Sequence, residues 1–150
     1  MQPFPHRYAV SAAGEPAGEV SVAGTALQAL RSASPAEFDG PGDRWSPETF
    51  LTGALADCFV LTFRAVARAS QLSWISLRCE AVGTVDRVER VTQFTAFDVH
   101  AHLIVPEGTD VGRAQRALEK TEHNCLVASS LKAAVRLLPD VQIAHDVVTV

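Results

Sequence analysis

The sequence predicts an α+β fold in which a sheet packs on one long helix. Three observations carry that expectation. An apolar run with helical spacing extends from Pro47 to about Gln71, and two later segments alternate apolar and polar residues with a period of two. The elements follow the order βββ-α-ββ-αα-β. The 150 residues, 47% hydrophobic and 20% charged, suffice for one domain over 1–150 with a sizeable core. No internal repeat or low-complexity tract interrupts them.

Short strands are expected at Arg7–Ala12, Glu19–Ala23 and Ala26–Ser32, with turns near Gly14-Glu15-Pro16 and at Gly24. Ser34 to Arg44 holds Pro35, Gly40, Pro41 and Gly42 and reads as a loop. Ser46-Pro47 starts a helix, with a hydroxyl at the N-cap and proline at the first helical position. Glu48 falls in the first turn, where the helix dipole favours a negative charge. Leu51, Leu55, Cys58, Thr62 and Ala65 form one stripe, which Phe50, Phe59, Phe63 and Val66 widen. The helix is therefore expected to be central and mostly buried, with Asp57, Arg64, Arg68 and Gln71 on its polar side.

In the next segment Ile75, Leu77, Cys79, Ala81 and Val85 share one strand face, and Ser76, Arg78, Glu80 and Thr84 the other. Phe97, Val99, Ala101, Leu103 and Val105 then alternate with Asp98, His100 and His102. Asp86 to Gln93 would join the two strands as a hairpin. Pro106-Glu107-Gly108 ends the second strand, and Thr109 or Asp110 caps a helix to about Glu122. A third helix is expected from about Cys125 to Leu138, stopped by Pro139, followed by a strand over Val141–Val150.

A net charge of -4 argues against nucleic acid as the main partner. No stretch reaches the ~18 uninterrupted apolar residues of a membrane span, and Met1 to Arg7 shows no apolar core of a secretory signal. Three cysteines without tight spacing are unlike a secreted disulfide framework. The expected setting is the cytoplasm, where paired thiols are more often redox-active than structural.

Cys58 and Cys125 are the candidate nucleophiles. A reactive cysteine must be a thiolate, held by a cation, a hydrogen-bond donor or a helix N-terminus. Asn124 can cap the third helix and leave Cys125 in its first turn, where backbone N–H groups favour an anion. Cys58 lies mid-helix among apolar neighbours that would raise its pKa, so its activation must come from a distant residue. An arginine suits that task because its charge is permanent and its fork can hold a carboxylate and a second oxygen at once. Glu48 is the obvious carboxylate for such an arginine. It precedes Cys58 by ten residues, roughly 15 Å along a helix axis. A Glu48–Cys58 site would therefore need the antiparallel helix of a second copy. Cys79 points to the core side of its strand and reads as structural. His123-Asn124-Cys125 lacks CxxC or HxxxH spacing, so no metal site is expected there. His100 and His102 read as surface residues. Phe59 and Phe63 read as core, or as the lining of an apolar substrate pocket.

Several stretches act together: Gly40-Pro41-Gly42-Asp43-Arg44-Trp45-Ser46-Pro47-Glu48, Leu55-Ala56-Asp57-Cys58-Phe59, Val105-Pro106-Glu107-Gly108, Glu119-Lys120, and Asn124-Cys125-Leu126-Val127-Ala128-Ser129-Ser130-Leu131. With them the chain resembles the OsmC/Ohr family of organic hydroperoxide reductases over about residues 40 to 135. It is closer to OsmC-type than to Ohr-type members, because the N-terminal hairpin around Gly14-Glu15-Pro16 carries no arginine. Leu126 also stands where proline often follows the second cysteine.

The resemblance implies an OsmC-like fold, with antiparallel sheets packed on a long central helix in an intertwined homodimer whose two active sites lie at the interface. Cys58 would match the peroxidatic cysteine, Cys125 the resolving one, and Glu48 the carboxylate that positions a catalytic arginine. Arg44 is the candidate for that arginine, with Arg31 the alternative. The implied activity reduces organic hydroperoxides without metal, haem or flavin, and an external dithiol, in this family a lipoylated protein, restores the thiols. The missing hairpin arginine sustains a rival expectation: a non-catalytic dimeric binding module for a small apolar ligand, or a redox sensor.

Overall fold

Phe97, Val99, Ala101, Leu103 and Val105 are each at most 1% exposed, so the alternating segment lies at the centre of the core, as its period requires. The computed structural model describes residues 1–146. The chain divides into one unit over Met1–Phe50 and another that starts at Leu51.

The first unit carries β1 (Ser11–Ala13), β2 (Val20–Ala23) and β3 (Leu30–Ser32) as an antiparallel meander in the order β1-β2-β3. β2 and β3 fall where the sequence places them but are shorter, whereas β1 overlaps the expected Arg7–Ala12 only at Ser11 and Ala12 and ends at Ala13. Ala26 adopts φ 59 in a turn that Leu27 closes by donating to the Gly24 carbonyl at 3.2 Å, so the third strand cannot begin there. The following loop is cinched by Ala33 N–H donating to Trp45 O at 2.9 Å. Within it Gly40 approaches Ser34 so closely that a Cβ would lie 1.6 Å from its carbonyl oxygen.

Helix α1 (Pro47–Ala69) starts as the sequence indicates. Ser46 Oγ accepts from Thr49 N–H at 3.2 Å, and Thr49 Oγ1 accepts from Ser46 N–H at 2.8 Å. This reciprocal arrangement satisfies two amides at the helix entrance. Leu55, Phe59, Phe63, Val66 and Ala67 bury one stripe of α1, whereas Leu51 and Leu61 stay exposed. Only 28% of its most apolar stretch is buried within the chain, against the expectation of a mostly buried helix. By length and composition α1 is also long and apolar enough to cross a membrane. Counting uninterrupted apolar residues missed this because Asp57 and Arg64 break the run.

The second unit holds β4 (Ser76–Val88), β5 (Val91–Val105) and β6 (Ala134–Ile143) in the order β4-β5-β6. β4 and β5 form the expected antiparallel hairpin. Its turn is tighter than expected: Glu89 and Arg90 alone reverse the chain, at φ 49 and 70. Two-residue turns of this hand match strand twist but are normally marked by Asn-Gly, so this one carried no signal. The register moves from Thr84 opposite Ala96 to Val85 opposite Phe94, which leaves Thr95 as a bulge. Residues three apart in a regular strand face opposite sides. The bulge instead brings Phe94 and Phe97 onto one face, where their rings stack at 4.8 Å.

Two expectations for the last third of the chain are corrected. The third helix ends early: α2 (Val111–Asn124) is followed by α3 (Leu126–Ser130) only, and residues 134–138 belong to β6. Leu126, Ser130, Ala134 and Leu137 fit a helical period, but the sheet supplies a ladder for the same segment. Pro139 therefore does not stop a helix. It sits opposite Ala101 in an edge strand, whose free side tolerates a missing N–H. β6 also runs parallel to β5, not antiparallel. A parallel neighbour requires a crossover, which α2 and α3 provide. The expected last strand is represented by 141–143 at the end of β6 and a 3-10 turn over Ala144–Asp146; 147–150 lie outside the described residues.

Asp110 is the cap of α2, its side chain accepting from Arg113 N–H at 3.2 Å. Ala114, Ala117, Leu118 and Thr121 form the buried stripe of that helix. With the buried residues of α1 and β5, and with Cys125, the apolar members of this stripe make one core.

Gly83 lies under the stacked rings: a Cβ there would stand 2.6 Å from Phe94 Cε1 and 2.9 Å from Phe97 Cε1. Overpacking of this kind costs about 1–3 kcal/mol. Gly83→Ala is expected to lower the urea midpoint by a corresponding amount, and an unchanged midpoint would mean that the rings move aside freely.

Candidate active site

The break between α2 and α3 sets the site. Cys125 is extended, at φ -66 and ψ 114, and caps α3 through its backbone without a side-chain cap bond. Asn124 is the last residue of α2, not the cap expected from the sequence. A helix start leaves its first N–H groups without partners inside the helix. Here those of Leu126, Val127 and Ala128 are directed at two sulfurs.

Cys58 comes from the middle of α1 and is half-buried, whereas Cys125 is fully buried. Both are free thiols. Burial raises the Cys58 pKa, but the Val127 N–H, the Cys125 thiol, the Thr62 hydroxyl and the Leu126 N–H all favour the anion and together hold it below the ordinary thiol value. The Thr62 oxygen lies 3.8 Å from the Cys58 sulfur. For Cys125 burial dominates, the Ala128 N–H opposes it, and the neighbouring Cys58 sulfur adds to the rise, so its pKa moves up. Of the two, Cys58 is thus the more readily ionised sulfur, with the Cys125 thiol as a donor beside it. Local sequence favours the opposite assignment, because the amides that hold Cys58 come from a segment far along the chain. Thr62 is a residue the sequence reading left out of the site, although its position one turn after Cys58 was visible.

Cys79, on the core side of β4, has its pKa pushed up to about 11 by burial, with Cys125 and Glu80 adding to the rise. Phe59 and Phe63 are core residues at 2% and 0% exposure, and Phe63 meets Trp74 edge-on at 5.2 Å. His102 Nδ1 lies 3.3 Å from Asp140 Oδ2 on the partly exposed outer face of the sheet. Among the described residues no group of three or more His, Cys, Asp or Glu side chains is arranged to hold a metal ion.

The remaining candidates belong to the first unit. Glu48 is half-buried in the first turn of α1. Arg44 donates through Nε to Glu19 Oε1 at 2.6 Å and pairs with Asp43 Oδ2 at 2.9 Å. Arg31 reaches the other Glu19 oxygen at 2.8 Å. Hydrogen bonds from Arg44 and then Arg31 hold the Glu19 carboxyl below its usual pKa. Both arginines singled out in the sequence therefore converge on one carboxylate, which no motif marks out. Asp43, Arg44, Trp45 and Thr49 line a hollow of about 360 Å³, and the Trp45 ring stacks on Phe50 at 5.6 Å.

Two three-stranded sheets, a long helix and two adjoining thiols of unlike acidity define a dithiol protein of α+β architecture. The chain belongs to the OsmC-like protein family, whose pattern it matches over residues 40–138. It is 29% identical over 107 residues to the uncharacterized protein YmaD of Bacillus subtilis (strain 168), a match covering 69% of this chain and 71% of that one. Among solved structures it resembles the OsmC-like protein VCA0330 of Vibrio cholerae, of unknown function, with a TM-score of 0.82 at 14% identity over 91% of this chain and 100% of the other. It also resembles an organic hydroperoxide resistance protein OsmC from Legionella pneumophila, with a TM-score of 0.74 at 21% identity over 93% and 99% of the two chains.

The thiols are expected to ionise in a fixed order. Alkylation by iodoacetamide followed against pH should show Cys58 titrating first, Cys125 later and Cys79 near 11. Thr62→Val should shift the Cys58 midpoint upward by removing a donor to the anion. A midpoint unmoved by that substitution would remove the hydroxyl from the site.

Proposed function

We propose that this protein is a thiol-dependent peroxidase acting on organic hydroperoxides. The observation that carries the reading is the pairing of Cys58 with Cys125 under the N–H groups of Leu126 and Val127. A lowered pKa supplies the nucleophile, and a thiol already in hydrogen-bonding contact supplies the partner for its oxidised form. The hydroperoxide resistance named for the Legionella relative fits the same chemistry.

The Cys58 thiolate attacks the nearer peroxide oxygen, the O–O bond breaks, and the alcohol leaves after taking up a proton. The resulting sulfenic acid is attacked by Cys125, which releases water and forms the Cys58–Cys125 disulfide. An external dithiol, such as a lipoylated protein, reduces it by exchange. The apolar surroundings of Cys58 favour organic hydroperoxides over hydrogen peroxide. Arg44, oriented by Glu48, is assigned to polarise the peroxide. In that role it must leave Glu19, and solvent screens that exposed pair, so the exchange costs little. A second copy of the chain would cover the exposed Leu51 and Leu61 of α1 and bring a Glu48 to Cys58, giving a homodimer. The cytoplasm, a reducing compartment, is the setting assigned to it.

The test is a thiol count before and after one equivalent of cumene hydroperoxide, with peptide mapping. Two of the three thiols should disappear as a Cys58–Cys125 disulfide, and Cys58→Ser should reduce peroxide consumption to background. Three unchanged thiols would overturn the peroxidase and favour an apolar-ligand binding module on the same fold.

A further inference from the structure

The hollow lined by Asp43, Arg44, Trp45 and Thr49 has its walls fixed before any ligand arrives. Trp45 is held through its backbone: it bridges Ser32 of β3, and its carbonyl accepts from Ala33 N–H at 2.9 Å. Its ring is oriented by Phe50, which lies within 3° of parallel to it. The tryptophan is nevertheless 52% exposed. An aromatic ring held this firmly and left uncovered offers a shelf for an apolar group, and little side-chain freedom is lost on binding.

Arg44 is tied down as well. Nε donates to Glu19, and Nη1 meets both the carboxylate and the carbonyl of Asp43. Arg31 occupies the other Glu19 oxygen. Two guanidinium groups thus face two carboxylates, and the four charges cancel. An anionic ligand would find the charge of Arg44 already answered and the Asp43 carboxylate beside it, a like-charge contact that opposes binding. A neutral group with one O–H and acceptor oxygens fits better, because it can accept from Arg44 and donate to Asp43. At about 360 Å³ the hollow lies at the small end of ligand sites, which span about 300–1,000 Å³, so the molecule must be compact.

We propose that this hollow is the binding subsite for a compact, uncharged aryl hydroperoxide, its ring on Trp45 and its O–O–H group between Arg44 and Asp43. Binding follows from the hollow alone; the fate of the bound peroxide rests on the peroxidase reading. Arg44 meets the ligand while still on Glu19, before the rearrangement that catalysis asks of it. Hydroperoxides that carry a carboxylate are disfavoured, and hydrogen peroxide has no hydrocarbon to place on the ring.

The probe is cumyl alcohol, which cumene hydroperoxide leaves on reduction, with benzoate as the charged aryl control. The chain has two tryptophans, so reduced full-length protein gives two indole N–H signals by NMR, which Trp45→Phe assigns. The Trp45 signal should shift saturably with the alcohol, while Trp74, edge-on to Phe63, stays in place. Benzoate should bind about tenfold more weakly, and Trp45→Ala should weaken alcohol binding, followed on the ligand's own signals, by about tenfold. The Trp74 signal shows that each variant is folded. Asp43→Asn should narrow the preference over benzoate, a change that a merely structural Asp43 would not produce. In turnover, Trp45→Ala should raise KM for cumene hydroperoxide more than KM for hydrogen peroxide. An unmoved Trp45 signal, or benzoate bound as tightly as the alcohol, overturns the proposal. Thiols consumed by peroxide alongside an unmoved Trp45 would sink the subsite and leave the peroxidase standing. A saturable Trp45 shift in protein whose three thiols survive peroxide would do the reverse.

Discussion

A sulfur that is to ionise readily beside an apolar core needs donors that stay in place, and here the backbone supplies them. The interruption between α2 and α3 leaves N–H groups of Leu126, Val127 and Ala128 outside any helical ladder, and two cysteine sulfurs take them up. Amides cannot be lost by rotamer change as a side-chain donor can. Everything else in the second unit serves to bring that interruption against α1: the helix must present Cys58, and the chain must return at the correct level.

The return is governed by strand direction. Because β6 pairs parallel with β5, the chain leaving Val105 has to travel back along the sheet before β6 can start. α2 makes that journey, with Ala114, Ala117 and Leu118 buried in the core. Its length sets where Cys125 falls. An antiparallel β6 would have needed only a short turn, and no helix would have carried Cys125 back to α1.

How much was legible varies with the distance over which each feature is determined. The start of α1, the cap of α2 to within two adjacent residues and the buried face of β5 depend on near neighbours, and all three could be read directly. The bulge at Thr95 and the two-residue turn at Glu89-Arg90 depend on pairing, and their residues lack the usual Gly or Asn signature. β6 is hidden because Leu126, Ser130, Ala134 and Leu137 satisfy a helical period equally well, and proline at 139 has the form of a stop signal. Both cysteines of the site were recognisable, but their ionisation order was not. Sequence places Cys58 among apolar neighbours and cannot show which amides will arrive from residues 126 and 127. Convergence of Arg31 and Arg44 on Glu19 was likewise hidden, since three separated positions meet only through the β2–β3 pairing and the loop that follows.

Hydrogen bonds to Cys58 give the short helix α3 an electrostatic tether. The amides of Leu126 and Val127 hold full negative charge only while that sulfur is a thiolate. Once the sulfur is protonated, the charge vanishes and the same amides face a weak acceptor. The first turn of α3 then loses its anchor, with Leu126 already exposed beside it. The acid–base state of one half-buried sulfur thus sets how firmly the five residues of α3 are held at their first turn.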